Sequence, residues 1–247
     1  MNHAVTVNDS DAALVGRLLR EAGAKAAAFA QHLHPHWLNA VWQITGLEPA
    51  RHAAAIAPRR HGALLLSAYG LKWPGLDDFG RRAHRICVLG RRPTLQLLAL
   101  RALLPRRDSV RRSVGREVRS ALVEHLGEAA YARLLDTPRR GVSNGPALEA
   151  ADLDLERLAV HGYRALCAQG AWQCRSALAI TRLSLPPMPD TDACTASDDG
   201  AAPDESGEVI EHLQDYFPEL AWLFGSDMDR ALSASKMASC APPTLLN

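Results

Sequence analysis

Apolar residues recur at helical spacing along most of this chain, whereas strand-like alternation of apolar and polar residues is hard to find. In the first segment, Leu14 and Leu18 fall on one face of a helix that begins with Asp9 or Ser10 as its N-cap and ends near Phe29. The alanine-rich composition of this segment also favours helix. The pattern predicts an all-α fold, built as an irregular multi-helix globular domain.

Proline and glycine residues divide the rest of the chain into shorter predicted helices. Pro93 suits the first turn of a helix that runs to Leu104. A long helix then begins with Asp108 or Ser109 as its cap and ends near Leu126. The other predicted helices cover residues 35–45, 49–57, 61–71, 76–88 and 146–170, with a shorter one that ends near 181, and residues 137–146 form a loop.

The pattern also predicts how the chain is organised. Residues 1–185 are expected to form the main helical domain. Residues 186–207 are rich in Pro, Asp, Ser, Ala and Gly and predict an acidic flexible linker. Residues 208–224 carry one apolar face and predict a C-terminal helix that packs on the main domain, and residues 225–247 are expected to be a polar, frayed tail.

The composition is typical of a globular protein, since 47% of the residues are hydrophobic and 22% are charged. No apolar run approaches the roughly 20 residues of a membrane-spanning helix. The first residues lack the basic start and apolar run of a secretory signal. Five cysteines occur without a CxxC pair. These features predict a cytoplasmic protein with reduced thiols.

Charge is strongly segregated along the chain. Residues 81–140 contain fifteen arginines and five acidic residues, whereas residues 183–229 contain twelve acidic residues and no lysine or arginine. The two blocks are able to attract each other or to serve different partners, and the sequence does not choose between these. The candidate protein-binding residues are the arginines of the basic block: Arg91, Arg92, Arg106, Arg107, Arg111, Arg112, Arg116 and Arg119.

His32, His34 and His36 are the nearest approach to a metal site, because alternate histidines of an extended segment can reach one ion. No Cys, Asp or Glu lies close by to complete a tetrahedral set, so a packed or solvated helix start is the favoured interpretation. The chain contains no phosphate-binding loop, dinucleotide fingerprint, HExxH helix or GxSxG elbow. The sequence therefore predicts no catalytic, cofactor-binding or metal-binding residues and no enzyme.

An alternative function is that of a helical nucleic-acid-binding regulatory protein, which would use an Arg-rich helix at 106–119. A basic stripe on a helix is the electrostatic footprint of such proteins. However, residues 80–130 contain no Phe, Tyr or Trp to stack on bases. The sequence pI near 7.8 is also modest. An acidic protein partner, or pairing with the chain's own acidic linker, is therefore the favoured interpretation of the arginines.

Four segments, in order along the chain, resemble the YscK/SctK family, the K-type accessory proteins of type III secretion sorting platforms. Residues 32–38 are similar to its Leu-His-Pro-x-Trp-Leu element, and residues 85–98 to its Arg-Cys-Val-Leu and Leu-Gln-x-Leu region. Residues 171–186 are similar to its Trp-Cys-x-Arg-Leu-Ser-Leu region, although more widely spaced, and residues 219–224 to its apolar ending. The resemblance marks these structural motif residues: Trp37, Leu38, Cys87, Leu89, Trp172, Leu183, Leu185 and Trp222.

The resemblance implies a non-enzymatic adaptor of the type III secretion apparatus that requires no cofactor. In that family, the K protein links the cytoplasmic domain of an inner-membrane ring protein to the pod protein of the sorting platform, and the pods connect onward to a stator and the export ATPase. The implied location is the cytoplasmic face of the inner membrane. Membrane association would then come only through partners, and no nucleic acid is expected.

Overall fold

The computed structural model describes residues 9–45, 58–113, 115–136, 148–149, 152–188 and 205–239. Within these ranges every regular element is a helix and no strand occurs, so the all-α prediction is confirmed. Among the same residues, no helix combines the length and apolar character that crossing a membrane requires. The predicted helix at 49–57 and the predicted loop at 137–146 lie outside the described residues.

The chain alternates α-helices with short 3-10 turns. The α-helices, in chain order, are α1 Asp9–Ala27, α2 Pro35–Thr45, α3 Pro58–Ala68, α4 Arg82–Arg85, α5 Arg91–Leu103, α6 Arg107–Arg112, α7 Arg116–Leu126, α8 Glu128–Asp136, α9 Leu155–Ala168, α10 Arg175–Arg182, α11 Glu205–Glu211, α12 Leu213–Tyr216, α13 Ala221–Phe224 and α14 Ser226–Ser239. The 3-10 helices are Phe29–His32, Asp77–Gly80, Ile86–Val88, Leu104–Arg106 and Pro218–Leu220.

Helices α5 and α9 pack side by side at the centre of the fold and run in the same direction. On α5, Leu97, Leu98 and Leu100 are fully buried. Gly162 of α9 lies directly against the Leu98 carbonyl, because a Cβ atom at position 162 would come within 1.8 Å of that oxygen. The absent side chain therefore sets the distance between the two central helices.

Two predicted long helices are shorter than expected. The helix predicted from 108 to 126 is broken near Ser113, and its parts are α6 and α7. The hydroxyl of Ser113 accepts the Leu148 backbone N–H at 2.8 Å, so a contact from a distant segment holds the break. The helix predicted from 146 begins only at Leu155, where Asp154 accepts the Arg157 N–H as the N-cap.

The C-terminal part differs most from its prediction. The single helix expected at 208–224 is instead α11, α12, a 3-10 turn and α13. Pro218 lies just after the end of α12, where its ring cannot continue an α-helix. Helix α11 begins at Glu205, within the predicted linker, and residues 189–204 of that linker lie outside the described residues. The division into a main domain at 1–185 and separate C-terminal parts stays a prediction.

The expected frayed tail at 225–247 is wrong over much of its length, because Ser226–Ser239 form helix α14. Met228, Ala231 and Leu232 are buried on this helix. They lie at helical spacing and pack α14 against α1, so the two ends of the described chain meet. The tail beyond 239 lies outside the described residues.

Candidate docking surface and motif junction

The first and third motif segments are bonded to each other. The His34 backbone N–H donates to the Leu183 carbonyl at 2.8 Å. The Trp37 indole N–H donates to the Leu185 carbonyl at 2.7 Å. The guanidinium of Arg182 lies over the Trp37 ring, 4.9 Å from its centroid. The two segments therefore close one junction of the fold, although about 150 residues separate them in sequence.

Arg91 extends this junction to the second segment. Its Nε donates to the Ser184 carbonyl at 3.2 Å, and its guanidinium pairs with the Glu156 carboxylate. The His34 imidazole lies 3.5 Å from the same carboxylate. Burial lowers the pKa of His34, while Glu156 acts in the opposite direction. Arg91 thus binds inside the molecule, which differs from its expected role as a docking residue.

The apolar run of the second segment, residues 86–89, is buried. Ile86, Cys87 and Val88 form a buried 3-10 turn, and Leu89 is buried beside it. Lys25 of α1 is also buried and donates from Nζ to the Leu89 carbonyl. Burial lowers the pKa of Lys25 to about 8, although Cys87 acts in the opposite direction. The apolar run at 86–89 is therefore in contact with a buried amine that the sequence pattern did not reveal.

Raising the pH is expected to strengthen the fold at Lys25. Because the amine has a pKa of about 8 when folded and about 10.4 when unfolded, the unfolded state binds more protons between these values. Stability from this site therefore rises with pH across that window, by up to about 3 kcal/mol. Denaturation of wild type and Lys25→Met at pH 7.5 to 10.5 measures the difference.

Comparing wild type with Lys25→Met cancels the opposite effect of Cys87 on the pH dependence of stability. Burial raises the pKa of Cys87 to about 12. The folded protein therefore loses stability from this thiol as the pH rises above the ordinary pKa range of a thiol. Both proteins contain Cys87, and only the wild type gains from Lys25. Parallel stability profiles for the two proteins would contradict the assignment.

Arg85 joins the second segment to the fourth segment and to α14. Its side chain is fully buried. The Nε donates to the Phe79 carbonyl at 2.7 Å, and Nη1 donates to the Leu223 carbonyl at 2.9 Å. The Nη2 donates to Asp229 at 2.6 Å, and this carboxylate also pairs with Arg82 at 2.6 Å. One carboxylate of α14 thus holds two arginines of α4.

His84 fastens the beginning of the third segment. Its Nδ1 lies 2.6 Å from the Asp78 carbonyl, and its Nε2 accepts the backbone N–H groups of Gln173 and Cys174 at 3.0 and 3.1 Å. The imidazole must therefore carry its proton on Nδ1. Sequence reasoning missed His84, Lys25 and Asp229 as connecting residues. For His84 a signal was available, because His84 and Arg85 directly precede an apolar run, where exposed charges are not expected.

The candidate protein-binding arginines do not form a single stripe. Because the helix breaks near Ser113, the arginines of 111–119 belong to two helices, which corrects the single Arg-rich helix expected at 106–119. Arg107 is buried, and Arg111 donates to the Leu135 carbonyl at 3.0 Å. The nucleic-acid alternative loses the continuous basic helix on which it was based. The remaining candidates are exposed to solvent: Arg92, Arg106, Arg112, Arg116 and Arg119.

The comparison with known families finds a match over most of the chain. The model of the family described as bacterial type III secretion protein (HrpB4) matches residues 18–219. The chain belongs to the HrpB4 family. This membership confirms the predicted resemblance to type III secretion accessory proteins. No curated protein and no solved structure matches the chain significantly.

In this HrpB4-family chain, the motif residues belong to the hydrophobic core or pack against it. Cys87, Leu89, Leu183 and Leu185 are buried, and the other four are partly buried against the core: Trp37, Leu38, Trp172 and Trp222. The Trp222 ring also carries the Arg17 guanidinium, 4.0 Å from its centroid. The matched family range includes the first three segments and ends at the start of the fourth.

The histidines of 32–36 do not gather as ligands. His34 Nδ1 accepts the His36 backbone N–H at 3.1 Å, and the His32 ring lies against Gly90. Burial lowers the pKa of His32 to about 4, and the charge of Lys25 acts in the same direction. Within the described ranges, no three His, Cys, Asp or Glu side chains are grouped closely enough to hold a metal ion.

The cysteines agree only in part with the expectation of reduced thiols. Cys87 and Cys174 are free. Cys167, near the end of α9, is disulfide-bonded, so the expectation is wrong at that position. Cys194 and Cys240 lie outside the described residues.

Proposed function

We propose that this protein is a non-enzymatic adaptor of the type III secretion apparatus. It links the cytoplasmic domain of the inner-membrane ring protein to the pod protein of the sorting platform, at the cytoplasmic face of the inner membrane. The match of the HrpB4 family model over residues 18–219 is the observation that carries the proposal. The motif segments support it, because their side chains serve packing and leave the exposed surface for docking.

The docking surface that we propose is the group of exposed arginines around the break between α6 and α7. Arg112 lies at the end of α6, and Arg116 and Arg119 lie in the first turns of α7. Exposed guanidinium groups bind carboxylates in bidentate geometry and steer acidic proteins during encounter. This surface therefore fits an acidic face of the ring protein or of the pod protein.

Reversing these charges is expected to weaken complex formation. We expect the triple variant Arg112→Glu, Arg116→Glu, Arg119→Glu to bind at least one of the two partners at least tenfold more weakly than wild type, because the reversal turns attraction into repulsion. Co-purification and titration calorimetry with the ring protein's cytoplasmic domain and with the pod protein measure the loss.

A matched control carries the same change in net charge on other surfaces. Arg20, Lys72 and Lys236 are exposed and lie elsewhere in the sequence, and their replacement by Glu is expected to leave both affinities within about threefold. If the wild type binds both partners and the arginine variant binds them equally well, the docking surface is wrong. If the wild type binds neither partner, the adaptor function itself is wrong.

A further inference from the structure

Arg107, the first residue of α6, is a buried arginine without a bonded partner. Only 5% of this residue is exposed. Within the part of the chain that the structure describes, its guanidinium makes no hydrogen bond and no ion pair. A desolvated charge of this kind costs free energy unless a hydrogen-bonded counter-charge compensates for it. The fold therefore holds at this position a cation that it does not itself satisfy.

The carboxylate nearest in sequence is already engaged. Asp108 accepts from Nη1 of Arg111 at 3.2 Å, and Arg111 also donates to the Leu135 carbonyl of α8. Arg106, on the other side of Arg107, is exposed and also makes no hydrogen bond or ion pair among the described residues. Two adjacent arginines at 106–107 therefore share a positive field that favours an acidic ligand.

Two other buried arginines show what a structural guanidinium looks like in this fold. Arg85 is fully buried and donates to two backbone carbonyls and to Asp229. Arg101 is 4% exposed and donates from Nη2 to Oε1 of Gln169 at 3.0 Å. Both side chains obey the rule that buried polar groups are hydrogen-bonded. Arg107 is as buried as Arg101 and departs from that rule, so its conformation is not explained by bonds within the fold.

The head of the Arg107 side chain remains within reach of a ligand. Its nitrogens are not among the fully enclosed, unpaired atoms of the described residues, so the small exposed fraction includes the guanidinium. Leu103, Leu104 and Val110, three or four positions away in sequence, are buried. The guanidinium thus lies at the border between the core and the solvent. A planar guanidinium in such a place offers a carboxylate two parallel donors, and the low local dielectric strengthens the bond.

We propose that Arg107 is the anchor of a protein-binding site and takes a carboxylate of an acidic partner protein. A largely desolvated arginine beside exposed ones has the character of an interface hot spot. Arg112, one of the proposed docking arginines, lies at the other end of α6, about 7.5 Å further along the helix axis. The identity of the partner rests on the adaptor function proposed above, whereas the unsatisfied charge is a property of this chain alone.

The isolated protein tests whether the charge is unsatisfied. Arg107→Met keeps much of the side-chain volume and removes the charge. We expect its urea midpoint to equal that of wild type or to lie higher, because Arg107 makes no bond within the described residues that the variant would lose. Arg101→Met is the matched control, and its midpoint is expected to fall because the hydrogen bond to Gln169 is lost. Circular dichroism follows both transitions.

Binding of the same variant tests the anchor itself. We expect full-length Arg107→Met to bind the ring protein's cytoplasmic domain or the pod protein at least tenfold more weakly than wild type, because the partner's carboxylate loses its counter-charge on burial. Arg20→Met removes the same charge from an exposed position on α1 and should leave both affinities within about threefold. Titration calorimetry measures the affinities. A variant that folds at least as well as wild type and binds less well identifies a residue kept for binding.

Two results would overturn the anchor while leaving the adaptor function intact. The first is a urea midpoint of Arg107→Met below that of wild type, because Arg107 would then be bonded within the fold. The second is a wild type that binds a partner and an Arg107→Met protein that binds both partners as tightly as wild type does. A wild type that binds neither partner would overturn the adaptor function and the assignment of this ligand together, so the two failures are distinguishable.

Discussion

Replacing Gly162 with alanine is expected to destabilise the protein by about 3 kcal/mol or more. The new Cβ atom would lie 1.8 Å from the Leu98 carbonyl oxygen and 2.7 Å from its carbon. Both atoms belong to the backbone of a buried helix, so no flexible side chain can move aside. Helices α5 and α9 must therefore separate, and the buried leucines between them lose contact. Urea denaturation followed by circular dichroism measures the change.

Gly23 provides the control for the intrinsic effect of the substitution. It lies inside α1, is exposed, and has no atom within 4 Å of the position that a Cβ would occupy. Gly23→Ala is expected to stabilise the protein by about 0.5–1 kcal/mol, because alanine favours helix over glycine. Similar free energies of unfolding for Gly162→Ala and Gly23→Ala would contradict the close packing of α5 and α9.

Replacing Arg85 with methionine is expected to cost about 3 kcal/mol. Methionine fills much of the same volume but donates no hydrogen bond. The buried carbonyls of Phe79 and Leu223 would lose their donor, and Asp229 would lose one of its two arginines. Burial raises the pKa of Asp229, but the hydrogen bonds from Arg82 and Arg85 outweigh it and hold the pKa below its ordinary value. In the Arg85→Met variant, α14 should detach from the core before the rest of the protein unfolds.

Arg82→Met is the matched control, since Arg82 binds the same carboxylate from a partly exposed position. Its loss leaves Asp229 with Arg85 and is expected to cost about 1 kcal/mol. Hydrogen exchange of the α14 amides, read beside global denaturation, reports whether the C-terminal helix loosens more in Arg85→Met. An Arg85→Met protein as stable as Arg82→Met would show that the buried guanidinium does not hold the second segment to the fourth segment and to α14.

Local sequence signals placed the helices that depend on local chemistry. Pro93 in the first turn of α5 and the acidic start of α1 act within one turn of the backbone, and both helices form close to their predicted bounds. The break at Ser113 was missed because apolar spacing continues from Val110 to Val118 across it. At the break the Ser113 hydroxyl accepts a hydrogen bond from the Leu148 backbone N–H, a contact that no local pattern contains.

The candidate docking residues show the same division. Counting arginines located the basic block, yet the count cannot separate Arg107, which is buried, from Arg112, which is exposed. Exposure depends on which neighbours cover a side chain, and those neighbours are distant in sequence.

By itself, the sequence determined that the chain is helical, where its basic and acidic blocks lie, and which ordered segments relate it to type III secretion proteins. These properties follow from backbone preferences, charge and residue order, which need no knowledge of neighbours. Only the tertiary structure decided that the polar-looking Ser226–Ser239 forms a helix and that its Asp229 holds Arg82 and Arg85. Burial and pairing arise when distant segments meet, and the free energy of a buried charge depends on the partner it meets there.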